Sequence, residues 1–545
     1  MAERKKTLFK RMTRKLRKFL TPTLSALFFL GSLLLCTSCH THTSKNQNSL
    51  KIAISHDPMS LDPRSACLSK DISLAQALYE GLVRERSGNP ELALTKCYTI
   101  SDDQTVYTFY LKDALWSNGD PITAYDFEES IKQIHKLEVT SSSNFLLSVI
   151  KNSQTVMSKE LPMDKLGIRA IDKSTLEITL EKPIPYFLEL LAYPIFFPAH
   201  KSLRDFYSSG KTNLPNISNG PFIIETYQPQ HQLTIKKNAL YHDKSSVHLD
   251  TIVFQIVPDT HTAIQLLQKN LIDWVGSPWS SPISKEDQYH IPKDKLHNYP
   301  VLGTTALICN LKNSPTQNLA LRKALAYAID KATLLQFISQ GKVADHFLPP
   351  ELSKIHKRSY VSQEELQERA RLCFKEALKE LSPKDISELS IIYPLESVCL
   401  NSIVQEIQQQ IKNVLGIHIT IQGMEYHCFL DKRRRGDFTL ATGRWVADYP
   451  RPSSFLAILG NFKSDEPTKS LTKWENAQYN HILNALLSPE ENIQNQILAE
   501  ELIEDELPII PLYHFEYTYA ANPRIQNIYT SLLGHIDLKE IELSK

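Results

Sequence analysis

The chain has 545 residues, 42% hydrophobic and 22% charged, with eight cysteines and a formal net charge of +1. Its positive charge is concentrated at the start: residues 1–38 hold nine basic side chains against one acid, so their removal takes the formal charge from +1 to −7. A mildly acidic remainder of about 500 residues gives no reason to bind nucleic acid, and it calls for more than one core, because single cores rarely grow past about 250–300 residues.

The first 39 residues read as an export segment, apart from the fold. Nine basic residues from Arg4 to Lys18 precede a mostly apolar run, Phe19 to Leu35, broken by Pro22. Those seventeen positions reach about 25 Å as a helix, short of a roughly 30 Å bilayer core, so a signal peptide fits better than a permanent anchor. The run ends in Leu35-Cys36-Thr37-Ser38-Cys39, which resembles a bacterial lipoprotein processing site, with Cys39 as the lipidated first residue. Cys36 stands where an aliphatic residue is usual; an uncleaved anchor and ordinary cleavage nearby are the competing readings. Cys36-x-x-Cys39 has a redox or metal spacing but lies inside the export segment. His40 to Ser49, rich in Thr, Ser, Asn and Gln, reads as a tether. The six remaining cysteines are too widely spaced for a zinc site or a small disulfide scaffold.

Further along, Thr105 to Leu111 predicts a strand and Asn118-Gly119 a turn. Thr123-x-x-Asp126 predicts a capping box opening a helix to about Lys136. Leu176 to Leu180 and Ile252 to Val257 alternate as strands do, each ended by a proline. Leu321, Ala324, Leu325, Ala328 and Ile329 recur at helical spacing and predict one amphipathic helix over 319–338; Val404 to Val414 repeats the pattern. Ile417 to Ile421 and Phe438 to Ala441 read as strands. The alternation of helix and strand signals, without an internal repeat, predicts an α/β protein.

Six blocks then carry a resemblance. They are Ser60-Leu61-Asp62-Pro63 with Leu78-Tyr79-Glu80-Gly81-Leu82, Trp116 to Phe127 (WSNGDPITAYDF), Asn219-Gly220-Pro221-Phe222, Leu321 to Asp330, Trp445-Val446-Ala447-Asp448-Tyr449-Pro450 continuing to Leu456, and Leu507 to Tyr513. In this order and over nearly the whole mature chain, they resemble the oligopeptide-binding proteins of ABC transporters, a peptide/nickel-type family of extracellular solute-binding proteins.

The resemblance implies a two-lobed periplasmic-binding-protein fold of the class with an extra third domain, closing over its ligand in a cleft between the lobes. Its implied boundaries are a signal peptide at 1–38, a lipidated tether at 39–49, lobe I from 50–79, 196–301 and 515–545, the extra domain II at 80–195, and lobe III at 302–514. In such proteins an aspartate at the position of Asp448 receives the ligand's α-ammonium group, while backbone around it, here at Arg444 and Val446, pairs with the ligand as with an added strand. The physical logic is general: peptides of unspecified sequence share only their termini and main chain, so a receptor fixes a carboxylate against the amine and reads the rest by β-augmentation. Trp445 and Tyr449 are expected to wall the amine pocket. A family strand on the other lobe puts the main chain of Cys67, Leu68, Ser69 and Lys70 opposite the ligand. Arg433 falls where members carry an arginine able to meet a ligand carboxylate, and Tyr426 where they place an aromatic pocket residue; taken alone, each reads as a surface or core residue.

The sequence also departs from the family. Val446 replaces a cysteine and Gly303 its disulfide partner, Thr442 replaces an arginine, and no histidine appears near Cys399. The implied partners are short peptides, an ABC permease with its ATPase subunits, and the membrane through the lipid anchor; the protein is expected to be a monomer and to need no cofactor. A receptor of the same fold for a murein-derived peptide, a metal chelate or haem is the competing function. An exported peptidase is the next, although the sequence has no His-Glu-x-x-His, Gly-x-Ser-x-Gly or phosphate-binding glycine-rich loop.

Overall fold

The structure, a computed structural model, describes residues 48–544 apart from 87, 137–142, 204, 206–215, 313–314, 356–360, 396, 461–471 and 487–491. The export segment, Cys39 and most of the tether lie outside the described residues. Among the described residues no helix is long and apolar enough to cross a membrane.

Strand β1 (Ser49–Ile54) buries Leu50, Ile52 and Ile54. The chain then runs through helix α1 (Ser69–Leu78) into a separate antiparallel sheet. That sheet contains β2 (Thr95–Ile100), β3 (Val106–Leu111), β4 (Ile168–Ala170) and β5 (Thr175–Thr179), in the order β2-β3-β5-β4. Helix α2 (Ala124–His135) packs on β4 and β5. The expected capping box forms, with the Asp126 carboxylate accepting the Thr123 N–H at 2.9 Å, and Gly119 of the predicted turn has φ +89°. Helix α3 (Phe187–Leu191) completes this part.

The chain returns to β1 with β6 (Phe222–Gln228), β7 (Gln232–Lys237), β8 (Thr251–Ile256) and β9 (Trp274–Gly276). It leaves along β10 (Leu296–Cys309) into α4 (Leu319–Ala328), α5 (Lys331–Leu334), β11 (Ser390–Pro394), α6 (Val398–Leu415), β12 (Thr420–Met424), α7 (Tyr426–Arg435) and β13 (Leu440–Val446). It then comes back along β14 (Ile509–Ala521). These strands form one sheet ordered β12-β11-β13-β10-β14-β9-β1-β8-β7-β6, with Lys342–Val343 added against β14.

The long strands β10 and β14 join its two halves. They pair from Leu296 with Ala520 to Ile308 with Ile509, and their register breaks between Pro300 and Thr304 and again between Thr305 and Ala306. Irregular register bends and twists a strand, so the sheet changes direction there.

Three expectations need correction. The predicted helix over 319–338 is two helices: Ile329 turns extended, and Asp330 caps α5 by accepting from the N–H groups of Ala332 and Thr333 at 3.0 and 3.4 Å. An aspartate inside an apolar helical pattern offers the backbone a cap, and here the cap wins. The strand expected at Ile417 to Ile421 begins at Thr420, because Gly416 ends α6 at φ +73° and the chain must turn before pairing with β11. The segment Cys67 to Lys70 is not a strand: Leu68 is extended, but Ser69 and Lys70 already begin α1, whose residues from Lys70 to Leu78 are all buried.

Candidate functional site

Asp448 sits just past the end of β13, on a loop held by its own backbone. The Ala447 N–H donates to the Leu302 carbonyl at 2.8 Å and the Asp448 N–H to the Ser454 hydroxyl at 2.9 Å. Pro450 and Pro452 then end the extended run before the short helix Ser453–Leu456. The carboxylate itself is left without a cation: burial alone pushes Asp448 up to about 6 from the 3.8 of an ordinary aspartate, and no basic side chain among the described residues forms an ion pair with it. A partly buried carboxylate without a counter-ion is a candidate site for an incoming cation.

The carboxylate faces a cavity of about 510 Å³ between the two halves of the large sheet. One wall is Cys67 to Lys70 with Trp279 and Ser280; the other is Val446 to Asp448 with Tyr517 and Leu533. Lys70 and Asp448 are the two lining residues of fixed charge type, and they do not pair. The Lys70 ammonium donates instead to the carbonyls of His56 and Asp57 at 3.0 and 3.1 Å, and burial pulls its pKa down. Ser143, Phe145 and Tyr193, from the part built on the small sheet, close the same cavity. Burial and the neighbouring Asp448 charge raise the Tyr193 phenol.

A free strand edge runs beside Asp448. β13 pairs with β10 along its length, from Val446 opposite Gly303 to Leu440 opposite Cys309. On its other side β11 meets only Leu440 and Ala441, so from Thr442 to Val446 no described strand covers that edge. Five residues present about 17 Å of main-chain donors and acceptors, enough to pair with a segment of three to five residues. The site therefore combines an uncompensated carboxylate with an adjacent strand edge.

The remaining expected residues are not all brought to this cavity. Arg433, Arg444 and Trp445 line a second cavity of about 90 Å³ with Phe347, Ile458 and Ile509. Tyr426 begins α7, exposed. Tyr449 does not wall the cavity at Asp448: it is buried and stacks on Tyr186, with ring centres 3.8 Å apart and planes 6° from parallel. The Arg451 guanidinium, two residues on, donates to the Glu189 carboxylate of α3 at 2.8 and 2.5 Å. The loop that carries Asp448 is thus fastened to α3 by a ring stack and an ion pair. Trp279, Tyr193 and Phe145 also line the cavity, yet nothing in the sequence points to them, because each comes from a distant segment and carries no local motif.

Gly303 and Val446, the two positions that lack the family's bridge, lie directly opposite each other. A Cβ at Gly303 would stand 2.1 Å from the Phe515 ring, so glycine lets Phe515 fill this place. The six described cysteines are all unpaired, Cys67, Cys97 and Cys428 on the surface and Cys309 buried. No group of three or more potential metal ligands occurs among the described residues.

The model of the family described as bacterial extracellular solute-binding proteins, family 5 Middle, matches residues 89–465. The oligopeptide-binding protein OppA of Bacillus subtilis is 27% identical over 508 residues, covering 90% of this chain and 92% of its own. The periplasmic murein tripeptide-binding protein MppA, in its unliganded open form, superposes with a TM-score of 0.77 at 25% identity, covering 91% of this chain and 98% of that one. Listeria monocytogenes OppA bound to peptide gives a TM-score of 0.67 at 26% identity, covering 91% and 99%.

Proposed function

Because the chain belongs to family 5 of the bacterial extracellular solute-binding proteins, we propose that it captures short peptides outside the cytoplasmic membrane and delivers them to an ABC permease and its ATPase subunits. Its fold is the α/β two-lobed binding-protein fold of this family. The observation that carries the proposal is the Asp448 carboxylate, pushed up to about 6 by burial and, among the described residues, without an ion-pair partner, at the end of a strand edge that no described strand covers. A peptide brings what this place lacks, an ammonium group followed at once by a main chain that pairs as a strand.

In this reading Asp448 takes the peptide amine, the main chain of Arg444 to Val446 pairs with the ligand, and the extended backbone at Cys67 and Leu68 faces it from the other wall. Side chains of the peptide project into hydrated space, where water adapts to each of them. The lobe boundaries at 301/302 and 514/515 coincide with the register break between β10 and β14, which supports a pivot there for hinge closure, with residues 80–195 as the extra domain. Arg433 meets a ligand carboxylate. Cleavage after Ser38 and lipidation of Cys39 tether the receptor, a monomer, to a membrane through residues 39–49. The protein acts as a receptor rather than an enzyme, without a cofactor.

Mass spectrometry of ligands released from the purified mature protein tests this: a heterogeneous set of short peptides is expected, and one uniform non-peptide ligand would overturn it. Turnover of added peptides would instead identify a peptidase. A murein-derived peptide is a second reading, favoured by the superposition on the murein tripeptide-binding protein MppA. It too offers a free amine to Asp448, which haem does not.

A further inference from the structure

The three residues after Asp448 all rest on one element of the part built on the small sheet. Tyr449 stacks face to face on Tyr186, just before α3, and the Arg451 guanidinium donates twice to the Glu189 carboxylate within that helix. Between them, Pro450 borders a narrow gap with Glu189, Ala192, Tyr193 and Pro194. The support is firm: Phe187, Leu190 and Leu191 of α3 are buried, and the Phe187 ring meets Tyr107 of β3 edge-on with centres 4.8 Å apart. The Glu189 side chain is 9% exposed and that of Arg451 28%, so water and salt screen this ion pair less than a surface pair.

The bonds from the Ala447 and Asp448 N–H groups fix where the backbone leaves β13. They do not fix where the carboxylate points or how much water reaches it. That depends on the path after Asp448, which Pro450 and Pro452 stiffen. A stiff loop pinned at residues 449 and 451 leaves little freedom at 448. The same contact brings two phenols close to the carboxylate: burial and the Asp448 charge raise both Tyr186 and Tyr193. His56, Cys67, Lys70 and Tyr517 line the cavity that Asp448 faces, and the Lys70 ammonium is held by two carbonyls. The small-sheet part therefore shields one side of the carboxylate from water, and the cleft side stays open to a ligand.

We propose that Tyr186 and Glu189 are positioning residues for the amine site: through Tyr449 and Arg451 they hold the Asp448 carboxylate in one direction at the cleft and keep water from its rear. The inference rests on the peptide-receptor reading. It gives the small-sheet part a role in ligand recognition through two residues that do not themselves line the cavity. Loosening this clamp has two consequences. The carboxylate meets an ammonium less well, so the preference for a free amine falls; it is also better hydrated, so it stays ionised to lower pH. A residue that served the fold alone would leave the pH dependence of the amine preference where it is.

Calorimetric titration of ligand-free mature protein with tetra-alanine and N-acetyl-tetra-alanine, between pH 4 and pH 8, tests this in the parent, Glu189→Gln and Tyr186→Ala. The parent should prefer the free amine by about tenfold or more at pH 7 and lose that preference as pH falls through about 6. In both variants the preference at pH 7 should shrink by about two- to fivefold, the range of a part-exposed ion pair, while the acetylated peptide binds as it does to the parent. The pH at which the preference is lost should move from about 6 toward the 3.8 of an ordinary aspartate. His56 is common to parent and variants, so a movement between them belongs to Asp448. Glu177→Gln, which breaks a pair with Arg169 on the small sheet, should match the parent throughout. A parent-like preference and pH profile in both variants would overturn the positioning role. So would an equal loss for free and acetylated peptide with the pH profile unmoved, which would make the contact a brace between the two parts of the protein. If Tyr186→Ala is too unstable to titrate, Glu189→Gln, a near-isosteric change, decides. A parent that binds both peptides equally would take the amine away from Asp448 and overturn the receptor's anchor together with this inference, whereas a parent preference with unmoved variants overturns this inference alone.

Discussion

Asp448→Asn should weaken peptide binding and at the same time stabilise the empty protein. Burial holds the carboxyl at about 6 in the folded protein against 3.8 for an ordinary aspartate, so between those values the folded state binds more protons than the unfolded state. Stability contributed by this group is therefore highest below about pH 4, falls as pH rises to 6, and stays low above it. Two units at about 1.4 kcal/mol each set a ceiling of about 3 kcal/mol, and partial exposure brings the expected deficit to about 1–2 kcal/mol. Asparagine has nearly the same shape and carries no charge, so it removes the deficit. Ligand-stripped parent and variant proteins should melt together at pH 4, and the variant should melt about 1–2 °C higher at pH 7, given an unfolding entropy of about 2.1 cal/mol/K per residue. Scanning calorimetry from pH 4 to 8 measures this. A gap that is independent of pH, or a less stable variant at pH 7, would refute the idea that Asp448 is an uncompensated charge in the empty cleft.

The same carboxyl makes peptide binding pH-dependent: with a pKa of about 6, about one molecule in ten is ionised at pH 5, so affinity should fall about tenfold from pH 7 to pH 5, accompanied by proton release on binding at the lower pH. Calorimetry in buffers of different ionisation enthalpy measures both, and a flat profile contradicts the assignment. Gly303→Val should destabilise the protein by about 1–3 kcal/mol, because a Cβ there stands 2.1 Å from the Phe515 ring; urea denaturation reads the loss, and an unchanged midpoint would mean that Phe515 moves freely. Cys67 lines the cavity while Cys97 and Cys428 are exposed elsewhere, so a bound peptide should slow alkylation of Cys67 and leave the other two unaffected, as followed by peptide mass mapping. Cys309, whose thiol burial raises to about 12, should react only on unfolding. Equal labelling of Cys67 with and without peptide would move the ligand out of this cleft.

The features legible in the sequence were those with a local cause. The Thr123 and Asp126 capping box, the Asn118-Gly119 turn and the alternating strands β5 and β8 each follow from residues within a few positions of one another. Asp448 was legible through its motif, and the missing bridge through two departures that the sheet register sets face to face. What was lost depends on tertiary partners. Ile329 continues the apolar pattern of α4, yet the Asp330 cap ends the helix, and periodicity alone does not weigh one against the other. Tyr449 beside Asp448 reads as a pocket wall until Tyr186, more than 250 residues earlier, provides a ring to stack on. Ser69 and Lys70 read as extended by family position, but the burial of α1 from Lys70 to Leu78 favours a helix there. Trp279, Tyr193 and Phe145 reach the cavity only because the chain returns to it from three separate segments.

A double-mutant cycle on the ligand's amine tests the central claim most directly. Calorimetry would compare one short peptide with its N-acetylated form against the parent protein and Asp448→Asn. A charge-assisted hydrogen bond contributes about 1.5–3 kcal/mol, so acetylation should weaken binding to the parent by about tenfold or more. In Asp448→Asn, which has already lost that affinity for the free peptide, acetylation should cost little more. Equal affinity of the parent for both peptides, or the same loss on acetylation in the variant as in the parent, would contradict an amine held at Asp448.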